Sequence, residues 1–162
     1  MTDAGPPAGP VPVGGHSYRV GAVTSAPVEV VWPLVGRARH WSEWSFLTRS
    51  VLERDGSPDP DGVGAVRRFT RYGVGSREEV VAWEPNHRLA YRILSGFPVR
   101  DYLAEVTLTS EGTGTRVEWV GSFEPKWPGT GPVLDRVLPV MMQRFADALV
   151  AHADGLAPPA AS

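Results

Sequence analysis

From Gly64 the chain reads GAVRRFTRY (64–72), SREEVVAW (76–83), RLAYRIL (88–94), RDYLAEVTLT (100–109) and TRVEWVGSF (115–123). After a Pro/Gly-rich connection it continues PVLDRVLPVMMQRFADALVAHADGL (132–156). The first five segments alternate apolar and polar residues, the period of a strand with one buried face. The last segment changes period: Leu134, Leu138, Met141, Phe145 and Leu149 fall at steps of three and four, one face of a helix. A sheet face and a helix stripe that are both apolar must cover each other. The order predicts an α+β fold in which a curved antiparallel sheet wraps a long C-terminal helix. Pro139 lies inside that helix and predicts a kink, because it cannot donate to the carbonyl of Asp135.

Working back toward the start, Phe46 to Arg54 reads as a strand. It is separated from the meander by the loop Gly56-Ser57-Pro58-Asp59-Pro60-Asp61-Gly62. Two short helices precede it. One opens at Ser25-Ala26-Pro27 and buries Val28, Val31, Trp32 and Val35, with Pro33 predicted to kink or shorten it; the other is a turn near Trp41–Trp44. A first strand alternates Tyr18, Val20, Ala22 and Thr24, giving seven strands in all. The expected turns of the meander are Gly73-Val74-Gly75, Glu84-Pro85-Asn86-His87, Ser95-Gly96-Phe97-Pro98 and Glu111-Gly112-Thr113-Gly114.

Composition narrows the function classes. A chain of 162 residues makes one domain able to bury about two thirds of its unfolded surface. A net charge of −2 gives no basic excess for nucleic acid, and no run approaches the length of a membrane span. Without Cys there is no disulfide framework, thiol redox chemistry or thiolate metal site, and a cytoplasmic location is the simple expectation. Residues 1–15 are rich in Pro and Gly and read as a disordered lead-in rather than a targeting peptide, residues 16–156 as the folded domain, and residues 157–162 as a frayed tail.

The order of elements resembles the START-like (SRPBCC) superfamily of helix-grip proteins, and within it the polyketide cyclase/dehydrase-like family. The resemblance rests on Ala26–Trp32 followed by Trp41-Ser42-Glu43-Trp44, on Gly62–Arg67, on Arg77–Pro85 and on Gly114–Trp119. It covers about residues 17–156. It implies an internal cavity for a lipid, a polyketide or another largely apolar ligand, and it does not imply a reaction. Glu78 and Tyr102 also resemble pocket-lining positions of the plant abscisic-acid receptors, distant relatives by fold.

Strand parity selects the candidate site. Ala65, Arg67, Phe69 and Arg71 share one face, Ser76, Glu78, Val80 and Ala82 the next, followed by Leu89, Tyr91 and Ile93, then Tyr102 and Ala104, then Trp119 and Gly121. Arg67 and Glu78 are costly to bury apart, so a cross-strand ion pair is expected. Arg67, Glu78, Tyr91 and Tyr102 are the expected polar anchors and Phe69 an apolar wall. Phe97 is expected in a loop at the cavity mouth. Trp44, Trp119, Met141 and Phe145 serve as core or as ligand contacts.

No metal site or cofactor is expected. His16, His40, His87 and His152 are dispersed, without the HxxxH or His–carboxylate spacing of a metal site, and Asp59-Pro60-Asp61-Gly62 lacks the later ligands of a calcium loop. Gly62-Val63-Gly64 leads into a strand and is no dinucleotide fingerprint. Three function classes stay open. The leading one is binding of a small apolar molecule; the others are a polyketide aromatase/cyclase or dehydrase, and a protein-interaction module of the co-chaperone-like or toxin–antitoxin type.

Overall fold

A computed structural model describes residues 15–159. Seven strands, β1 (His16–Thr24), β2 (Arg49–Arg54), β3 (Val66–Arg71), β4 (Val74–Glu84), β5 (Arg88–Ser95), β6 (Val99–Glu111) and β7 (Gly114–Pro125), form one curved antiparallel sheet. Their spatial order is β1-β7-β6-β5-β4-β3-β2. Strands β1 and β2 are consecutive in sequence yet sit at opposite edges. The chain crosses between them through α1 (Val28–Gly36), a 3-10 turn (Ala38–His40) and α2 (Trp41–Trp44). The long helix α3 (Gly131–Leu156) fills the curve, the helix-grip arrangement.

The core is one cluster between the sheet and these helices, with Val80, Leu89, Val106, Val117, Trp119, Leu138 and Leu149 sealed inside it. Helix α3 buries Leu134, Leu138, Met142, Phe145 and Leu149. The buried methionine is therefore Met142, and Met141 is half-buried beside it. Steps of four, four, three and four keep the stripe on one face, so Met141 falls at its margin. Helix α3 runs through Pro139 and α1 through Pro33 without a break in either assignment.

The paired tryptophans of the Trp41-Ser42-Glu43-Trp44 turn explain how α1 ends. The last four carbonyls of a helix have no partner within it. The Trp41 Nε1–H donates to the Val35 carbonyl and the Trp44 Nε1–H to the Leu34 carbonyl, each at 2.8 Å. Both indoles thereby satisfy orphaned acceptors while their rings enter the core, and Trp41 stacks on Phe69 with centroids 4.6 Å apart. The Asp59/Asp61 loop docks on the same junction, because Asp61 accepts from the Ala38 N–H at 2.8 Å and from Arg37 at 3.1 Å. It is a structural clasp, in keeping with its reading as a turn.

Several local expectations need correction. The β3–β4 hairpin turns through Tyr72-Gly73, both at positive φ, rather than through Gly73-Val74-Gly75. A two-residue connection of that kind matches the sheet's right-handed twist. Phe46 and Leu47 belong to the loop before β2, which begins at Arg49. A bulge between Val80 and Ala82 shifts the parity of β4. Trp83, not Ala82, then stands opposite inward-facing Leu89 and meets Trp32 edge-on, ring centroids 4.9 Å apart. Exposed or half-exposed His–carboxylate pairs exist, His40–Glu43 at 2.9 Å and His16–Asp135 at 2.7 Å. No group of three or more metal-ligating residues occurs among the described residues. Residues 1–14 and 160–162, expected to be lead-in and tail, lie outside the described residues; Gly15 donates its N–H to Glu124 at 2.5 Å.

Candidate functional site: an apolar cavity at one end of the grip

The hairpin register brings Arg67 directly opposite Glu78, because the Tyr72-Gly73 turn pairs Arg71 with Val74 and every second pair below it faces inward. The Arg67 Nη2–H donates to Glu78 Oε1, and both side chains are buried. The guanidinium also lies over the rings of Trp41, Phe69 and Tyr91, 5.1 to 5.2 Å from their centroids. Its Nε and Nη1 have no hydrogen-bond partner among the described residues. The cation is thus held by one carboxylate and three aromatic faces. Desolvation raises the Glu78 pKa above the ordinary carboxylate range, and the attraction and hydrogen bond of Arg67 oppose that shift without cancelling it.

Tyrosines continue the polar line across the sheet. The Tyr91 hydroxyl accepts from the Trp119 Nε1–H at 3.1 Å. The Tyr102 hydroxyl is bonded to that of Tyr18, which lies across Gly121 to reach it. A Cβ at position 121 would meet the Tyr18 ring, so the bare glycine opens this path. Burial, the largest cause, pushes all three phenols well above their usual range, so they are neutral donors rather than phenolates. Parity pointed to Tyr91 and Tyr102. It gave no reason to single out Tyr18, whose role follows from its register opposite Gly121.

Between these groups and α3 lies a cavity of about 200 Å³. Phe69, Glu78, Tyr91, Tyr102, Phe97, Met141 and Phe145 line it, together with Trp41, Ile93, Leu138 and Met142. Arg67, Trp44 and Trp119 do not line it. Arg67 stands behind Glu78 and the aromatic rings, Trp44 is held by its bond to α1, and Trp119 lies fully buried behind Tyr91. The mouth is formed by Phe46 and Leu47, by Val74 and Gly75 after the β3–β4 turn, and by Gly96 and half-buried Phe97 of the β5–β6 turn. Arg71 is exposed at its rim and lies over the Phe46 ring. A wider groove on the sheet's outer face is lined mostly by polar side chains, Thr48, Arg49, Glu53, Arg68 and Thr70, with Val51.

A curved antiparallel sheet gripping one long helix over an apolar, open-ended cavity defines a START-like protein. Residues 16–154 match the family described as polyketide cyclase / dehydrase and lipid transport, and the chain belongs to that family. No curated protein matches it. Among solved structures, XoxI from Bacillus cereus is 20% identical with a TM-score of 0.72, over 87% of this chain and 97% of that one. A START superfamily protein from Mycobacterium smegmatis is 15% identical with a TM-score of 0.75, over 88% and 99%. At these identities the likeness is one of fold. DynU16, a protein of the dynemicin biosynthetic locus, is 25% identical with a TM-score of 0.65; this chain is covered over 88% and spans 48% of that one.

Proposed function

We propose that the protein binds a small, largely apolar molecule in the cavity between β3–β6 and α3. The observation that carries this reading is the cavity, which has apolar walls and a short polar edge of Glu78, Tyr91 and Tyr102. Size limits the ligand. A cavity of roughly 150 Å³ accepts benzene, and sites for drug-sized ligands start at about 300 Å³. At about 200 Å³ this one suits one or two fused rings or a short acyl segment, not a full-length poly-β-ketone in its present shape. Neutral tyrosine hydroxyls and a protonatable carboxyl suit one carbonyl or hydroxyl on an otherwise apolar ligand. An exposed apolar patch with a filled cavity would favour the interaction-module alternative; exposed apolar residues are present, and the open cavity supports the binder instead.

One observation favours a second reading as a cyclase or dehydrase. Glu78 is a cavity-lining carboxyl whose pKa is raised by burial, as a general acid requires. The likeness to a protein of the dynemicin biosynthetic locus supports the same reading. The two readings separate experimentally. Native mass spectrometry of protein isolated from its own host is expected to retain a co-purifying apolar small molecule unchanged by the protein. Turnover of a short β-ketone surrogate that Glu78→Gln abolishes while binding persists would replace the binder with the enzyme.

A further inference from the structure

We propose that the mouth end of the grip docks on an anionic lipid bilayer. This rests on the proposed ligand reading, since the bilayer would be the reservoir from which an apolar ligand reaches the cavity. Antiparallel pairing puts the β3–β4 turn, the β5–β6 turn and the end of β7 at one end of the sheet, and the first half of α3 runs past them. Large apolar side chains that stay exposed gather at this end. Tyr72 and Val74 flank the hairpin tip at 81% and 77% exposure, and Trp127 is exposed in the loop after β7. Val133, Val137 and Val140 are exposed on the outward face of α3. Isolated exposed apolar residues need no explanation, but a group of them gathered at the end where the cavity opens marks an interaction surface.

Charge chooses the partner. Although the chain carries a net charge of −2, Arg71, Lys126, Arg136 and Arg144 lie among these residues, and none is in an ion pair within the described residues. Of the carboxylates toward this end, Glu124 accepts from Gly15, Asp135 is bonded to His16, and Glu53, which shares a groove with Gly73, is paired with Arg68 and Arg77. Arg136 and Arg144 bracket Val137, Val140 and Met141 along one groove. Their separation of eight residues spans about 12 Å of helix, too far for one small anion to occupy both backbone positions but suited to neighbouring headgroups. The apolar side chains project from a hairpin tip, a loop and a helix face, each separated by cations. A protein partner would need a matching indented surface. The headgroup and acyl boundary conforms to such projections, with aromatic residues at headgroup depth and guanidinium groups on phosphates. The cavity would then open toward the acyl region, so an apolar ligand would enter without crossing bulk water.

The test is co-sedimentation of the full chain with sucrose-loaded vesicles of phosphatidylcholine alone, or with about a third phosphatidylglycerol, at low and high salt. Wild-type protein is expected on the anionic vesicles at low salt and to leave them as salt rises. Arg136→Gln with Arg144→Gln is expected to weaken partitioning about 30-fold, from roughly one kcal/mol per basic residue at an anionic surface. Tyr72→Ser with Val74→Ser should lose most binding, whereas Arg116→Gln, at the opposite end of the sheet, should lose none. Unchanged far-UV circular dichroism and a cooperative thermal melt establish that each variant is folded, and uptake of the neutral probe N-phenyl-1-naphthylamine is read on the wild type. Failure of the wild type to bind anionic vesicles, equal binding by the double Arg variant, or a wild-type dimer dispersed by Tyr72→Ser with Val74→Ser would each overturn the proposal. Vesicle binding without probe uptake would instead count against the ligand reading while leaving the docking surface standing.

Discussion

Replacing Arg67 by Met tests the buried pair through its pH dependence. Arg67 is fully buried and is the one hydrogen-bond partner of the Glu78 carboxyl among the described residues, so removing the cation leaves a carboxyl that must be protonated to stay buried. Protonating a group with an ordinary pKa of about 4.3 costs about 3.7 kcal/mol at pH 7 and about 1 kcal/mol at pH 5. The destabilisation by Arg67→Met should therefore shrink by up to about 2.7 kcal/mol between pH 7 and pH 5. The sign follows from the direction of the shift. A carboxyl whose folded pKa is raised lends stability below its unfolded pKa, and that stability is lost as pH rises toward the folded value. Met keeps an apolar contact with the Trp41, Phe69 and Tyr91 rings, which limits the packing loss. Glu78→Ala leaves the opposite, worse defect, a cation that cannot neutralise, at about 3–5 kcal/mol. Urea melts followed by tryptophan fluorescence at both pH values measure these effects, and the double variant Arg67→Met, Glu78→Gln should recover much of either loss. Equal costs for Arg67→Met at pH 5 and pH 7, with additive single-site effects, would refute the reasoning.

Three further outcomes follow. Gly121→Ala places a methyl against the Tyr18 ring and should cost about 1–3 kcal/mol, a loss that Tyr18→Ala in the same chain should partly relieve; unchanged stability in Gly121→Ala would mean that Tyr18 does not need the gap. Asp154 accepts from the Thr24 hydroxyl and the Ser25 N–H, so its pKa is lowered and its contribution is held above the ordinary carboxylate range and lost as pH falls through the depressed value. Asp154→Asn should lower stability near neutrality and narrow its gap to the wild type in acid, read as the difference in melting temperature across pH 2 to 6. Phe97 is half-buried at the mouth, so Phe97→Ser should weaken apolar-probe uptake at a stability cost near 1 kcal/mol. Loss of the folded state would instead make Phe97 a core residue.

The sheet and α3 were readable because each strand has one polar face and α3 one apolar stripe, and those periods survive in the sequence. The Arg67–Glu78 pair was also readable, since parity put both on the inner face of adjacent strands. Parity fails at a bulge, however, and nothing in Val80-Val81-Ala82-Trp83 announces the extra residue that turns Trp83 inward. A helical stripe has a margin as well, so adjacent Met141 and Met142 could not be told apart by spacing alone. Inward orientation does not distinguish a cavity wall from packed core. Trp44 and Trp119 point inward yet are engaged behind the wall by Leu34 and Tyr91, contacts between different elements that strand parity does not encode. Tyr18 escaped attention because its importance depends on the side chain missing at Gly121, on a strand about a hundred residues away in the chain.

The central claim, that this cavity holds an apolar ligand, is tested most directly by filling it. Ser76 lines the cavity on β4 opposite Phe69 and is only half-buried, so Ser76→Leu occupies the space from an existing inward position. Fluorescence titration with N-phenyl-1-naphthylamine should show saturable uptake by the wild type and at least tenfold weaker uptake by Ser76→Leu, with thermal stability equal to or above the wild type, the factor of ten corresponding to about 1.4 kcal/mol. Equal affinity in the two proteins, or no saturable uptake by the wild type, would contradict the account.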